Sequence, residues 1–225
     1  MSVYAASFAW SMWSLVAAMA AAGAYTFLPQ RLLREVDLPE FPARQTRPAL
    51  NLLVFAAAIA LAALCYLSFG ASLTSAAVVL FAAALVALAA IDLEIQLLPD
   101  AITLPLLWIG LIVNTSHLIV SPDAAIFGAI LGYAALWLPY QLHRLLTGRD
   151  GMGHGDFKLG AAIGAWTGWM SIPSVLLLAI VSIATITAIR IALKNAKARE
   201  PHPFGPYLAS SALIVLFHTV NPGGA

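Results

Sequence analysis

The sequence predicts an all-α, polytopic integral membrane protein of about eight helices, and three observations carry that prediction. Of its 225 residues 62% are apolar and only 9% are charged, against roughly 45–50% and ~25% in soluble domains. The charges are bunched, leaving uncharged stretches near the ~18 residues that a helix needs to cross hydrocarbon. The lysines and arginines fall on alternate connections, as an even number of spans with one basic side requires.

Taken in order, residues 4–28 form the first apolar run. No positive segment precedes it, so a retained span is expected rather than a cleaved signal peptide. A short Pro- and Arg-bearing loop, 29–48, follows and holds Arg31, Arg34, Arg44 and Arg47. Runs 49–69 and 73–91 are the next two spans, separated by a tight turn. Cys65, the single cysteine, lies in the first of these and reads as a small buried hydrophobe; one cysteine makes neither an internal disulfide nor a Cys-rich zinc site.

Runs 102–120 and 124–142 come next, followed by Arg144 and Arg149. Run 157–169 is short and begins beside Lys158; 172–189 leads into Arg190, Lys194, Lys197 and Arg199; 207–220 is marginal. A short run can be re-entrant. Removing the sixth span, however, would move the 190–199 cluster to the opposite side. With eight spans every Lys and Arg shares one side, which makes that side the cytoplasm and turns both termini outward. Asp123 alone among the acids lies on the outer side, so the chemistry is expected at the cytoplasmic rim. The chain, 1–225, reads as a single domain without internal repeats.

A net charge of +1 excludes a nucleic-acid binder, which needs a strongly basic face. Other membrane proteases fail on their motifs. None of His117, His143, His154, His202 or His218 forms the zinc motif H-E-x-x-H, and Gly70-Ala71-Ser72 is followed by leucine where a rhomboid needs glycine. No metal is expected.

Two segments remain that can carry chemistry. The first is Asp92-Leu93-Glu94-Ile95-Gln96-Leu97-Leu98-Pro99-Asp100, directly after an apolar helix. Alone, its acids have ordinary explanations: Glu94 as a solvated charge, Asp100 as a cap of the next helix. The second is Gly151-Met152-Gly153-His154-Gly155-Asp156-Phe157-Lys158-Leu159, where three alternating glycines allow close approaches and tight turns before an acid. It is not a nucleotide loop, because G-x-G-x-x-G would need glycine where Asp156 stands. Asp156 alone could equally cap a helix. Both acids lie at helix ends on the same membrane side, and two carboxyl groups sharing a site cannot both ionise cheaply. One then keeps a proton while the other activates water, which is the requirement for peptide hydrolysis.

The run 92–114, with Leu98-Pro99-Asp100 and Thr103-Leu104-Pro105-Leu106-Leu107-Trp108, resembles the aspartate segment of bacterial type IV prepilin peptidases. The GxGxGDxKL pattern at 151–159 resembles the second motif of these GxGD membrane aspartyl proteases, and Pro203-Phe204-Gly205-Pro206 resembles the segment before their last helix. The resemblance implies that Asp92 and Asp156 are catalytic. It further implies supporting roles for Gly151, Gly153, Gly155, Lys158, Pro99, Asp100, Pro203, Phe204, Gly205 and Pro206, with Lys158 orienting or tuning Asp156. Substrates would be type IV prepilins or type II secretion pseudopilins with a basic leader and an apolar N-terminal helix. They would be cut at the cytoplasmic face of the inner membrane. Hydrolysis would need no cofactor.

Many family members also methylate the new N-terminus from S-adenosylmethionine and carry two paired-cysteine motifs in a larger first loop. Those cysteines are missing from 29–48, which makes methylation doubtful. The alternative class is an ion- or proton-coupled transporter, since intramembrane carboxylates and broken helices also build ion paths. Against it, the acids lie at the rim and no inverted repeat is visible.

Overall fold

The computed structural model describes residues 48–70, 72–149, 152–193 and 203–220. The expected first span at 4–28, the loop 29–47 with its arginines, and Gly151, Lys194, Lys197, Arg199 and His202 lie outside the described residues. Within them each expected apolar run contains an α-helix, and the chain separates into two compact units, Met1–Ile95 and Gln96–Ala225.

The first unit contributes α1 (Pro48–Phe69) and α2 (Leu73–Ile95). On α1 the buried side chains are Val54, Ala58, Ala62 and Cys65, a stripe at helical spacing, while Leu52, Leu53, Leu64 and Leu67 are exposed. Ala58 packs on Ala83 and Ala87 of α2, with Phe55 against the cluster. Small residues let two apolar helices approach closely where lipid offers no hydrophobic drive to associate. The turn between them follows from local chemistry. Gly70 ends α1 at φ +62°, a conformation glycine adopts without penalty, and the Ser72 hydroxyl accepts the Ser75 N–H to cap α2.

The second unit holds α3 (Asp100–Asn114), α4 (Pro122–Thr147), α5 (His154–Thr167), a 3-10 turn (Trp169–Ser171), α6 (Ile172–Ala192) and α7 (Gly205–Val220). Its centre is α5, which packs against α3, α4 and α7. Every residue from Leu159 to Thr167 is buried. The α4–α5 crossing is made by two facing glycine pairs, Gly128 and Gly132 against Gly160 and Gly164. A Cβ on any of the four would run into the partner's backbone carbonyl. Both pairs are spaced G-x-x-x-G, which puts the two glycines of each helix on one face.

Polar bonds fix α3 on α5. Trp166 donates its indole N–H to the Leu106 carbonyl at 2.8 Å, and the ring lies where a Cβ on Gly110 would be. Asn114 is wholly buried; its amide donates to the Ala165 carbonyl at 2.9 Å and its oxygen accepts the N–H groups of Ile119 and Val120. The run expected to be helical to 120 therefore stops at Asn114, because that side chain takes over the following backbone donors and His117 adopts φ +55°.

Among the described residues four elements are long and apolar enough to cross a membrane: Leu52–Phe69 within α1, α2, α4, and the 3-10 turn with α6. The shorter helices differ. At 1.5 Å per residue α5 covers about 21 Å, less than the roughly 30 Å of a hydrocarbon core. The exposed large side chains on α4 and α6, such as Ile126, Phe127, Leu177 and Ile180, form apolar faces that are intelligible in lipid and costly in water. The protein is an all-α membrane protein.

Candidate active site

Asp92 belongs to the first unit. The expected boundary of that helix, residue 91, is passed: α2 runs on to Ile95 and ends where Gln96 turns left-handed at φ +52°. Asp92 therefore sits within the last turn of a long apolar helix and is 5% exposed.

Asp156 belongs to the second unit and is 8% exposed. Its helix starts two residues before it, with Gly153 extended at the N-cap position (φ −73°, ψ 142°). Asp156 is thus a first-turn residue and not the cap, and its N–H donates to the Gly153 carbonyl at 3.2 Å. Free N–H groups in the first turn favour negative charge there. A Cβ on Gly153 would lie 3.6 Å from Asp156 Oδ2, so the carboxylate folds back over the residue that begins the helix.

The glycines act differently from one another. Gly153 needs no left-handed backbone. Gly155 is required for packing: a Cβ there would come within 2.7 Å of Leu98 Cβ and 3.3 Å of the Leu98 carbonyl. The start of α5 therefore rests directly on the Leu98–Pro99 segment. Pro99 is the extended N-cap of α3, so Asp100 occupies the first turn and makes no cap. Its carboxylate instead takes the Lys158 ammonium with both oxygens, at 2.7 and 2.6 Å. Lys158 lies two residues after Asp156, and side chains at that spacing point away from one another on a helix. Its partner is Asp100.

Beside Asp156 the rings of His154, Phe157 and Tyr140 meet edge-on or tilted at 5.1–5.7 Å, and Tyr133 adds an edge contact to Phe157 at 5.9 Å. Tyr140 also lines an apolar cavity of about 400 Å³ with Leu136, Pro139, His143, Met152 and Phe204. Phe204 and Gly205 come from the Pro203–Pro206 segment: the Phe204 carbonyl accepts from Tyr207 and Leu208, which starts α7 with Pro206 in its first turn. Sequence reasoning did not single out Tyr140, Asn114 or the two glycine pairs. The pairs carry a legible signal in their spacing; Tyr140 and Asn114 carry none that distinguishes them from ordinary helix residues. Among the described residues no three His, Cys, Asp or Glu side chains converge as metal ligands.

Residues 79–189, which contain both aspartates, match the type IV leader peptidase family. The chain is similar to proteins named prepilin leader peptidase/N-methyltransferase. With that of Pseudomonas aeruginosa it is 47% identical over 148 residues, 66% of this chain and 51% of the relative. With that of Stutzerimonas stutzeri it is 45% identical over the same shares. With that of Aeromonas hydrophila it is 52% identical over 132 residues, 59% of this chain and 46% of the relative. The chain spans about half the length of these curated relatives. No solved structure matches it. The comparisons give the transporter alternative no support. A buried aspartate late in one apolar helix, a second in the glycine-flanked first turn of another, and matched residues that enclose both lead to one conclusion: over residues 79–189 the chain is similar to the type IV leader peptidase family.

Proposed function

We propose that the protein is a membrane aspartyl endopeptidase that removes the basic leader from type IV prepilins or type II secretion pseudopilins, with Asp92 and Asp156 as its catalytic pair. The observation that carries this reading is that the family match encloses two buried carboxyls, each at a helix end. The ionised member takes a proton from water, whose oxygen attacks the scissile carbonyl carbon. The protonated member gives its proton to the carbonyl oxygen. As the gem-diol intermediate collapses, the C–N bond breaks, the leaving nitrogen takes the proton held by the pair, and a hydroxyl of the intermediate returns its proton to the pair as the carbonyl re-forms, so one shared proton remains. S-adenosylmethionine enters no step, and no other cofactor is invoked.

Residues 1–225 act in this reading as one peptidase domain of the bacterial inner membrane, with the active site toward the cytoplasm and both termini periplasmic. Basic residues Arg144, Arg149, Lys158 and Arg190 support that orientation. The apolar cavity beside Tyr140 suits the hydrophobic helix of the substrate. Gly153 and Gly155 shape the start of the helix that carries Asp156, and Gly151 belongs to the same motif.

The test is leader cleavage in membranes that contain a candidate prepilin, read by the mass of the new N-terminus. Asp92→Asn and Asp156→Asn should each abolish cleavage while the protein remains in the membrane; persistence of cleavage in either variant refutes the pair. The same mass also reports whether a methyl group is added.

A further inference from the structure

The proposed reaction uses Asp92 and Asp156; a further carboxylate, that of Asp100, is held by the lysine two residues after Asp156. Asp100 and Lys158 join the first turn of α3 to the start of the second turn of α5, and both lie partly open to solvent, 52% and 33% exposed. An exposed pair of this kind contributes little to stability. Its geometry is nevertheless specific, because both carboxylate oxygens hold one ammonium, 58 residues apart in sequence.

A second attachment lies one turn away on the same face of α5. Gly155 is seated against Leu98, with no room for a Cβ. Gly155 and Lys158 are three residues apart and so share a face. At 3.6 residues per turn, Asp156 lies about 100° around the helix from Gly155 and about 160° from Lys158. Two attachments on one face therefore fix the rotation of the first turn, and with it the direction of the carboxylate on another face.

We propose that the Asp100–Lys158 pair is a clasp that sets the rotation of the α5 first turn, making Asp100 and Lys158 positioning residues for hydrolysis at Asp156. The proposal rests on the peptidase reading, in which the carboxylate must meet water and the scissile carbonyl within tenths of an ångström. Misplacement by about 1 Å costs on the order of a hundredfold in rate. The clasp binds no substrate, so its loss acts on turnover.

The test measures cleavage kinetics of the full-length protein in membranes, normalised to folded protein, on a prepilin that the unaltered protein cuts. Asp100→Asn and Lys158→Met are expected to lower kcat about ten- to a hundredfold with KM within about twofold. Lys158→Arg, which can keep the pair, should stay within about threefold of the unaltered protein. The reversed pair, Asp100→Lys with Lys158→Asp, should recover at least about tenfold over either single charge reversal. Unchanged kcat in the single variants, strictly additive losses in the reversed pair, or losses that vanish on normalisation to folded protein would overturn the clasp. Asp156→Asn is run beside them: if it still cleaves, the peptidase pair fails, whereas if it is dead and the Asp100 and Lys158 variants are fully active, the clasp alone fails.

Discussion

Helices α5 and α6 follow one another in the chain and are built for opposite surroundings. α5 has 14 residues, three of them glycine, and is buried around its whole circumference beyond the first turn. α6 has 21 residues, buries only Ile172, Val175 and Ala179, and exposes Leu177, Ile180 and Val181. The difference teaches what holds a membrane protein together. Apolar character carries α6 into lipid, where side-chain identity matters little. The same character does nothing to hold α5 among its neighbours, because leaving lipid for protein gains no hydrophobic energy. Close backbone approach and buried hydrogen bonds hold it, and those depend on individual residues.

That contrast can be broken most severely at the glycine crossing. Gly164→Val should lower stability by more than about 4 kcal/mol, since its side chain would collide with the Gly128 carbonyl and nothing flexible can yield. Recovery of monodisperse protein in detergent measures it; near-normal yield would mean that the helices can separate cheaply. Asn114→Ala comes next. It strips partners from the Ala165 carbonyl and from the N–H groups of Ile119 and Val120, for a loss of about 3 kcal/mol in mixed-micelle unfolding.

A finer comparison lies within the glycine motif. Gly155→Ala should cost about 1–3 kcal/mol because Leu98 Cβ blocks it. Gly153→Ala, at an unstrained φ with its Cβ in ordinary contact, should cost less than about 1 kcal/mol. Equal effects would show that the two glycines are not distinguished by packing. The smallest effect is expected on the lipid face of α6, where Leu177→Ala should change stability by no more than about 0.5 kcal/mol.

Most of the helix pattern was legible because a membrane span is a matter of length and hydropathy, and both are local properties. Helix ends were less legible. The expected ends at 91 and 120 differ from Ile95 and Asn114 since each stop depends on one residue, left-handed Gln96 and buried Asn114, whose effect is not compositional. The acids at 92 and 156 stood out through motif and sparsity of charge. Lys158 was expected to orient or tune Asp156; its ammonium binds Asp100 on another helix, so an effect on Asp156 has to pass through the helix and not through direct contact. Sequence proximity misleads within a helix, because residues two apart face away from each other.

By itself, then, the sequence determined that this chain is a set of apolar helices suited to a bilayer, with few charged residues within them. Hydrocarbon tolerates no unpaired backbone and few charges, so both features are written in composition. Only the tertiary structure decided which helix is enclosed and which faces lipid, which glycine is a hinge of packing, and which acid holds the lysine. Those outcomes depend on distances between segments far apart in the chain, and no local pattern encodes a distance.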